Sequence, residues 1–145
     1  MWPDDVAVPA WIAYALLASA FAALVAVLAK VGVRHVDTTL ATAVRAVVMM
    51  VVLVLAAAVL GKLRQLSSID GRSFLFIVLS GLAGAASWLF YFVALQHGPA
   101  AGVSAMDRTS VALVFVLAIL FLGDPFSWRG AAGAALVVAG SILLT

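Results

Sequence analysis

The sequence contains no cysteine, which excludes disulfides, thiol catalysis and thiolate metal sites but leaves the compartment open. It is also poor in charge. Only 10% of its 145 residues are Asp, Glu, Lys or Arg, against about 25% in soluble globular domains. So few charges cannot cover the outside of a water-soluble chain of this length. The net charge of +2 comes from eight basic and six acidic groups. No basic patch is interleaved with aromatics, so nucleic-acid binding is not expected. A basic n-region is missing as well: the chain begins Met1-Trp2-Pro3-Asp4-Asp5. The apolar run that follows is too long for a signal-peptide core and reads as an uncleaved first span. No catalytic triad, P-loop, dinucleotide fingerprint or metal motif is found, so neither enzyme activity nor a cofactor is expected. His35 and His97 are loop residues without the neighbours that suggest a metal site.

What the chain has in abundance is hydrophobicity, 67% of residues with a mean hydropathy of +1.27. Lipid can take the place of a polar exterior. A spanning helix needs about 20 mostly apolar residues, and strong punctuation separates five such runs, near residues 9–31, 38–60, 72–96, 100–122 and 125–145. Asp37-Thr38-Thr39 is an N-cap cluster for the second. The polar loop Gln65–Gly71 precedes the third, which Gln96-His97-Gly98-Pro99 ends. Asp124-Pro125 reads as an N-cap followed by proline at the first position of the fifth. The expected fold is an all-α integral membrane protein, one domain of five transmembrane helices, each antiparallel to its predecessor because the loops are short. Small residues recur at four-residue spacing: Ser80 and Gly84, Gly81 and Ala85, then Ala131, Ala135 and Ala139. Such spacing lets helices approach closely, within one protomer or, for the fifth helix, at an oligomer seam.

Five spans put the termini on opposite sides of the membrane. Orientation should follow the Lys/Arg bias of the short loops. Lys62, Arg64, Arg72 and Arg129 lie on the N-terminal side, against Lys30, Arg34 and Arg108 on the other, with Arg45 inside the second helix. The two sides are near balance, so the bias selects neither orientation. A chain that inserts both ways can form an antiparallel dimer of ten helices, reproducing the inverted-repeat architecture of larger transporters; a residual bias or a partner protein could instead fix one orientation.

Three segments point to a family. Ala94-Leu95-Gln96-His97-Gly98-Pro99-Ala100, Leu120-Phe121-Leu122-Gly123-Asp124-Pro125 and Gly133-Ala134-Ala135-Leu136-Val137-Val138-Ala139-Gly140 resemble, in order and spacing, one five-helix repeat of EamA-type members of the drug/metabolite transporter superfamily. The resemblance covers essentially the whole chain. Typical members carry two tandem repeats, the second inverted because five is odd; this chain has one, and resembles the short single-repeat bacterial and archaeal members. The resemblance implies a multi-pass protein of a bacterial or archaeal plasma (inner) membrane. It also implies a homodimer, since half a transporter forms no central pathway, and efflux or exchange of small metabolites or amphipathic compounds by alternating access. A non-transporting assembly or regulatory subunit that needs a distinct partner, and a flippase for lipid-linked sugars, stay open as alternatives.

Charges inside a span are expensive and usually face a partner or a cavity. Arg45 lies seven residues after Thr38, and Asp107 and Arg108 lie eight and nine after Pro99. That places them roughly 10–13 Å along helices that start on the same side. Lys30 reaches that side from the first helix. These four residues form a candidate layer for a gate or an anionic substrate, with Asp107, the sole carboxylate within a span, the candidate for proton coupling. The alternative is an Arg45–Asp107 pair that cancels buried charge, with Lys30 and Arg108 snorkelling outward. Beyond a pliable stretch at Ser80–Ala86 the third helix carries Trp88, Tyr91 and Phe92, of which Trp88 and Tyr91 share a face with Leu95. Their rings could line a substrate cavity or anchor helix packing. Trp2, Trp11 and Trp128 suit an interfacial belt.

Overall fold

The computed structural model describes residues 10–145, and every regular element in them is helical. They are α1 (Ala10–Gly32), α2 (Thr38–Val59), a 3-10 segment (Lys62–Ser68), α3 (Gly71–His97), α4 (Ala100–Asp107), α5 (Ser110–Leu117), a π turn (Ala118–Leu122) and α6 (Trp128–Leu143). Trp2 and the acidic start lie outside the described residues. Four stretches are long and apolar enough to cross a membrane: α1, α2, α3 and the run Ala100–Leu122. A fifth, α6, has 16 residues. That gives it about 24 Å of length, short of the roughly 30 Å hydrocarbon core.

The helix starts are set by side-chain caps. The Asp37 carboxylate accepts from the Leu40 N–H at 3.0 Å, and that of Asp70 from the Ser73 N–H at 3.0 Å. Each satisfies one of the orphan donors of a first turn. The chain leaves α2 through Gly61 at φ +65° and leaves the π turn through Gly123 at φ +74°, a left-handed conformation that glycine adopts without strain. His97, expected in a loop, is the last residue of α3, which Gly98, whose N–H donates to Ala94 O at 2.8 Å, and Pro99 close.

Three elements depart from the sequence expectation, one of them the fourth span, which breaks after Asp107. The stretch before α3, expected as a loop, opens within a 3-10 helix, in which the Ser68 hydroxyl donates to Gln65 O at 2.7 Å. The last helix starts not at Asp124-Pro125 but at Trp128, with Ser127 as its cap; the Gly130 N–H donates to Ser127 Oγ at 3.3 Å. Aromatic packing explains the shift. Phe126 lies 6.1 Å from Phe115 and edge-on to Trp128 at 5.1 Å, which holds residues 123–127 outside the helix.

The chain divides into two compact units, one of α1, α4, α5 and α6, the other of α2, the 3-10 segment and α3. In the first, α4 and α5 both pack on α6. The face of α6 turned toward them carries Gly130, Ala134, Val138 and Ser141, with Ala134 and Ser141 buried. A Cβ added to Gly130 would sit 2.6 Å from Phe115 Cε2, so any larger residue here would force the Phe115 ring to move. Ala135 and Ala139 of the alanine stripe are exposed. In the second unit α2 and α3 pack together. Most large apolar side chains point outward, Phe121 at 80% and Trp128 at 82% exposure among them, and only five apolar residues among those described are buried. A water-soluble chain would invert that distribution. Buried hydroxyls bond within their own helices, Thr42 to Thr38 O at 2.7 Å and Ser141 to Val137 O at 2.8 Å, as a medium without water demands.

Gly130→Ala should lower stability by about 1–3 kcal/mol through overpacking against Phe115, and Phe115→Leu should restore part of it; thermal unfolding in detergent checks both. The Asp70 carboxyl is held below its ordinary value by hydrogen bonds from the Ser73 hydroxyl and N–H. Its capping therefore stabilises α3 above the ordinary carboxylate range and is lost as pH falls through the lowered value. The difference in melting temperature between wild type and Asp70→Ala should stay constant from neutrality to about pH 5 and shrink under stronger acid.

Candidate functional site

The second unit contains a groove of about 530 Å³ between α2 and α3. Its shape follows from residue size. On α3 the lining begins with Gly81, Gly84 and Ala85, and a Cβ added to either glycine meets no atom within 4 Å. Within this unit the small residues leave space open. Along α2 the lining runs from Thr39 and Thr42 through Arg45 to Met49, Met50 and Leu53. Polar groups thus gather at one end and flexible apolar ones at the other. Helix α3 runs unbroken through Ser80–Ala86.

Arg45 and Trp88 meet in the groove wall. The Arg45 guanidinium carbon lies 3.5 Å from the Trp88 ring centroid and 5.9 Å from that of Phe92. Trp88 is in turn held edge-on by Tyr91 at 5.2 Å and Phe92 at 6.0 Å. Phe92 is 3% exposed and Leu95 fully buried, so this end of α3 is firmly anchored. Of the sequence candidates, the structure brings Arg45, Trp88 and Tyr91 together. Phe92, expected on the third helix but not on the Trp88 face, joins them through its i, i+4 spacing from Trp88. The stacking of Arg45 on Trp88 was missed, because no local pattern links residues 43 positions apart.

Energies show what the stacking leaves unfinished. Holding an arginine within a spanning helix costs up to about 2.5–3.5 kcal/mol, the value at the helix centre, and a desolvated cation–π contact returns about 0.5–2. The contact uses the face of the guanidinium; its N–H donors project from the edge. The groove therefore presents positive charge beside an apolar lining.

Lys30, Asp107 and Arg108 belong to the other unit. Lys30 is half-buried in the last turn of α1; Asp107 and Arg108 are exposed. Asp107 ends α4 at a break that the sequence expectation of a continuous helix over 100–122 did not include. Past it, the Thr109 N–H donates to Met106 O at 3.0 Å, and those of Val111 and Ala112 to Arg108 O and Thr109 O, both at 3.0 Å. These are i→i−3 bonds, tighter than an α-helix. The Thr109 hydroxyl also donates to Met106 O, at 2.7 Å, drawing that turn inward. Among the described residues no cluster of three or more His, Cys, Asp or Glu could hold a metal.

Trp88→Leu should expose the Arg45 charge to the apolar lining and destabilise the unit by about 0.5–2 kcal/mol beyond the loss of packing. A double-mutant cycle with Arg45→Met, read by thermal unfolding, isolates that coupling.

Comparison with known proteins places this geometry. The EamA-like transporter family matches residues 9–145. A protein of Sinorhizobium sp. named "Uncharacterized transporter in cobO 3'region" is 45% identical over 134 residues, 92% of this chain and 95% of that protein. No solved structure matches the chain. With the match spanning every described helix and the groove they form, the chain belongs to the EamA-like transporter family, as a multi-pass membrane protein with a single EamA-like domain.

Proposed function

We propose that the protein is a secondary transporter that exports or exchanges small metabolites or amphipathic compounds across a bacterial plasma membrane. The observation that carries this reading is the α2–α3 groove, with the cationic edge of Arg45 beside an apolar lining. Spanning helices that served only as packing would fill such a space. Alternating access needs two halves related by inversion. One chain with an odd number of spans and a balanced loop charge can supply both by inserting in two orientations and pairing as an antiparallel homodimer. The short α6 would complete the fifth span with tilt or local thinning of the bilayer. Asp107, set where the fourth span leaves α-helical geometry, suits the coupling role, since broken spanning helices are where transporters commonly bind ions.

Two experiments test this. Reporter fusions at the C-terminus should give signal from both sides of the membrane; signal from one side alone would sink the inverted homodimer. In proteoliposomes under an imposed proton gradient, wild type should accumulate substrate. Asp107→Asn should lose that accumulation while assembling normally on size exclusion. An Asp107→Asn protein that fails to assemble would mark the carboxylate as structural. Wild type that moves nothing would favour an assembly subunit.

A further inference from the structure

We infer that the α2–α3 groove takes an amphipathic organic anion, its acidic group on the edge of Arg45 and its apolar body along Met49, Met50 and Leu53. This rests on the groove being the transport site and names the class of compound it accepts. Three features of the groove converge on that class. First, the polar and apolar linings are segregated. Thr39, Thr42 and Arg45 lie toward the start of α2, and the two methionines and Leu53 follow over the next two turns. An occupant must therefore be polar at one end only. Second, the charge sits against an aromatic wall. Arg45 is stacked on Trp88 at 3.5 Å, and Trp88 is braced by Tyr91 and Phe92. The guanidinium edge is thus pre-oriented, and a carboxylate, sulfonate or phosphate oxygen pair matches its fork while a cation is repelled. Third, the apolar end is adaptable. Methionine side chains repack around different shapes, and Gly81 and Gly84 leave room opposite them. The groove is thereby strict about charge and tolerant about the shape of the apolar body.

An anion of this kind can come from two sources, a small organic acid dissolved in water or an anionic lipid of the membrane. The chemistry at Arg45 is shared, so the test carries an arm for each. Purified wild-type protein in nanodiscs of zwitterionic lipid is titrated calorimetrically with naphthalene-2-sulfonate and with the matched cation trimethyl(2-naphthyl)ammonium. The sulfonate should bind saturably and the cation should not. Arg45→Gln should weaken the sulfonate by roughly 10- to 100-fold, and Arg45→Lys, which keeps the charge but loses the fork, by less. Gly84→Leu leaves Arg45 in place and fills the groove, into space that Gly84 faces without contact, and it should abolish binding as well. This second variant keeps the test sound should Arg45→Gln fail to fold. Repeating the titration in discs containing phosphatidylglycerol separates the sources: competition identifies a lipid headgroup as an occupant, and unchanged affinity identifies the soluble acid.

Equal or tighter binding of the cation, or sulfonate binding indifferent to both Arg45→Gln and Gly84→Leu, overturns the inference. The transport reading fails separately. Wild type that binds the sulfonate through Arg45 yet exchanges no anion across proteoliposomes keeps the site and loses the transporter. Wild type that exchanges cationic or neutral compounds and binds no sulfonate keeps the transporter and loses the proposed class.

Discussion

A backbone surrounded by hydrocarbon has no water to bond, and each peptide group left unpaired there costs several kcal/mol. With 67% apolar residues and 10% charged ones, this chain meets that constraint along almost its whole described length by forming helices. The same demand extends to side chains. Thr42, Ser141 and Thr109 return their hydroxyls to carbonyls of the preceding turn, and His97 places Nδ1 2.8 Å from Val93 O. Arg45 finds an aromatic face. Because polar groups here are few and costly, each one that leaves the simplest arrangement is informative about what the protein must do.

The fourth span shows how a small departure changes the chemistry available. Replacing i→i−4 bonds by i→i−3 bonds around Arg108 to Ala112 shifts which carbonyls remain unpaired and twists the following turn relative to the preceding one. Asp107, exposed, stands at that junction. The π turn at Ala118–Leu122 and left-handed Gly123 end the same span with a second irregularity. The span is thus irregular near its middle and at its end, where α2 and α3 are continuous helices.

The long helices are legible in the sequence because their boundaries are chemically loud. Asp37 and Asp70 are capping residues next to apolar runs, and Gly98-Pro99 cannot continue a helix, so the bounds of α2 and α3 fall within a residue or so of expectation. The start of α6 departs from expectation because two local signals compete. Asp124-Pro125 has the better cap-and-proline pattern, but Ser127 wins through the packing of Phe126 between Phe115 and Trp128, which no local pattern encodes. The candidate site is legible in part. Arg45, Trp88 and Tyr91 stand out as costly or large groups in mid-span. That two of them touch across α2 and α3 is tertiary information. Small residues are the least legible, since four-residue spacing of glycine and alanine serves equally to close a gap, as Gly130 does against Phe115, or to hold one open, as Gly81 and Gly84 do.

That last distinction bears on why the groove persists in a membrane. Lipid chains can wet the surface of Met49, Met50 and Leu53 but offer nothing to a guanidinium edge. Water can solvate Arg45 but is expelled by the apolar lining. Neither medium satisfies both ends, so filling the groove with one leaves the other end at a cost, whereas a larger residue at Gly84 would remove the apolar half of the problem outright. With Arg45 stacked on Trp88, the groove suits the guest proposed above, one that is itself polar at one end and apolar at the other.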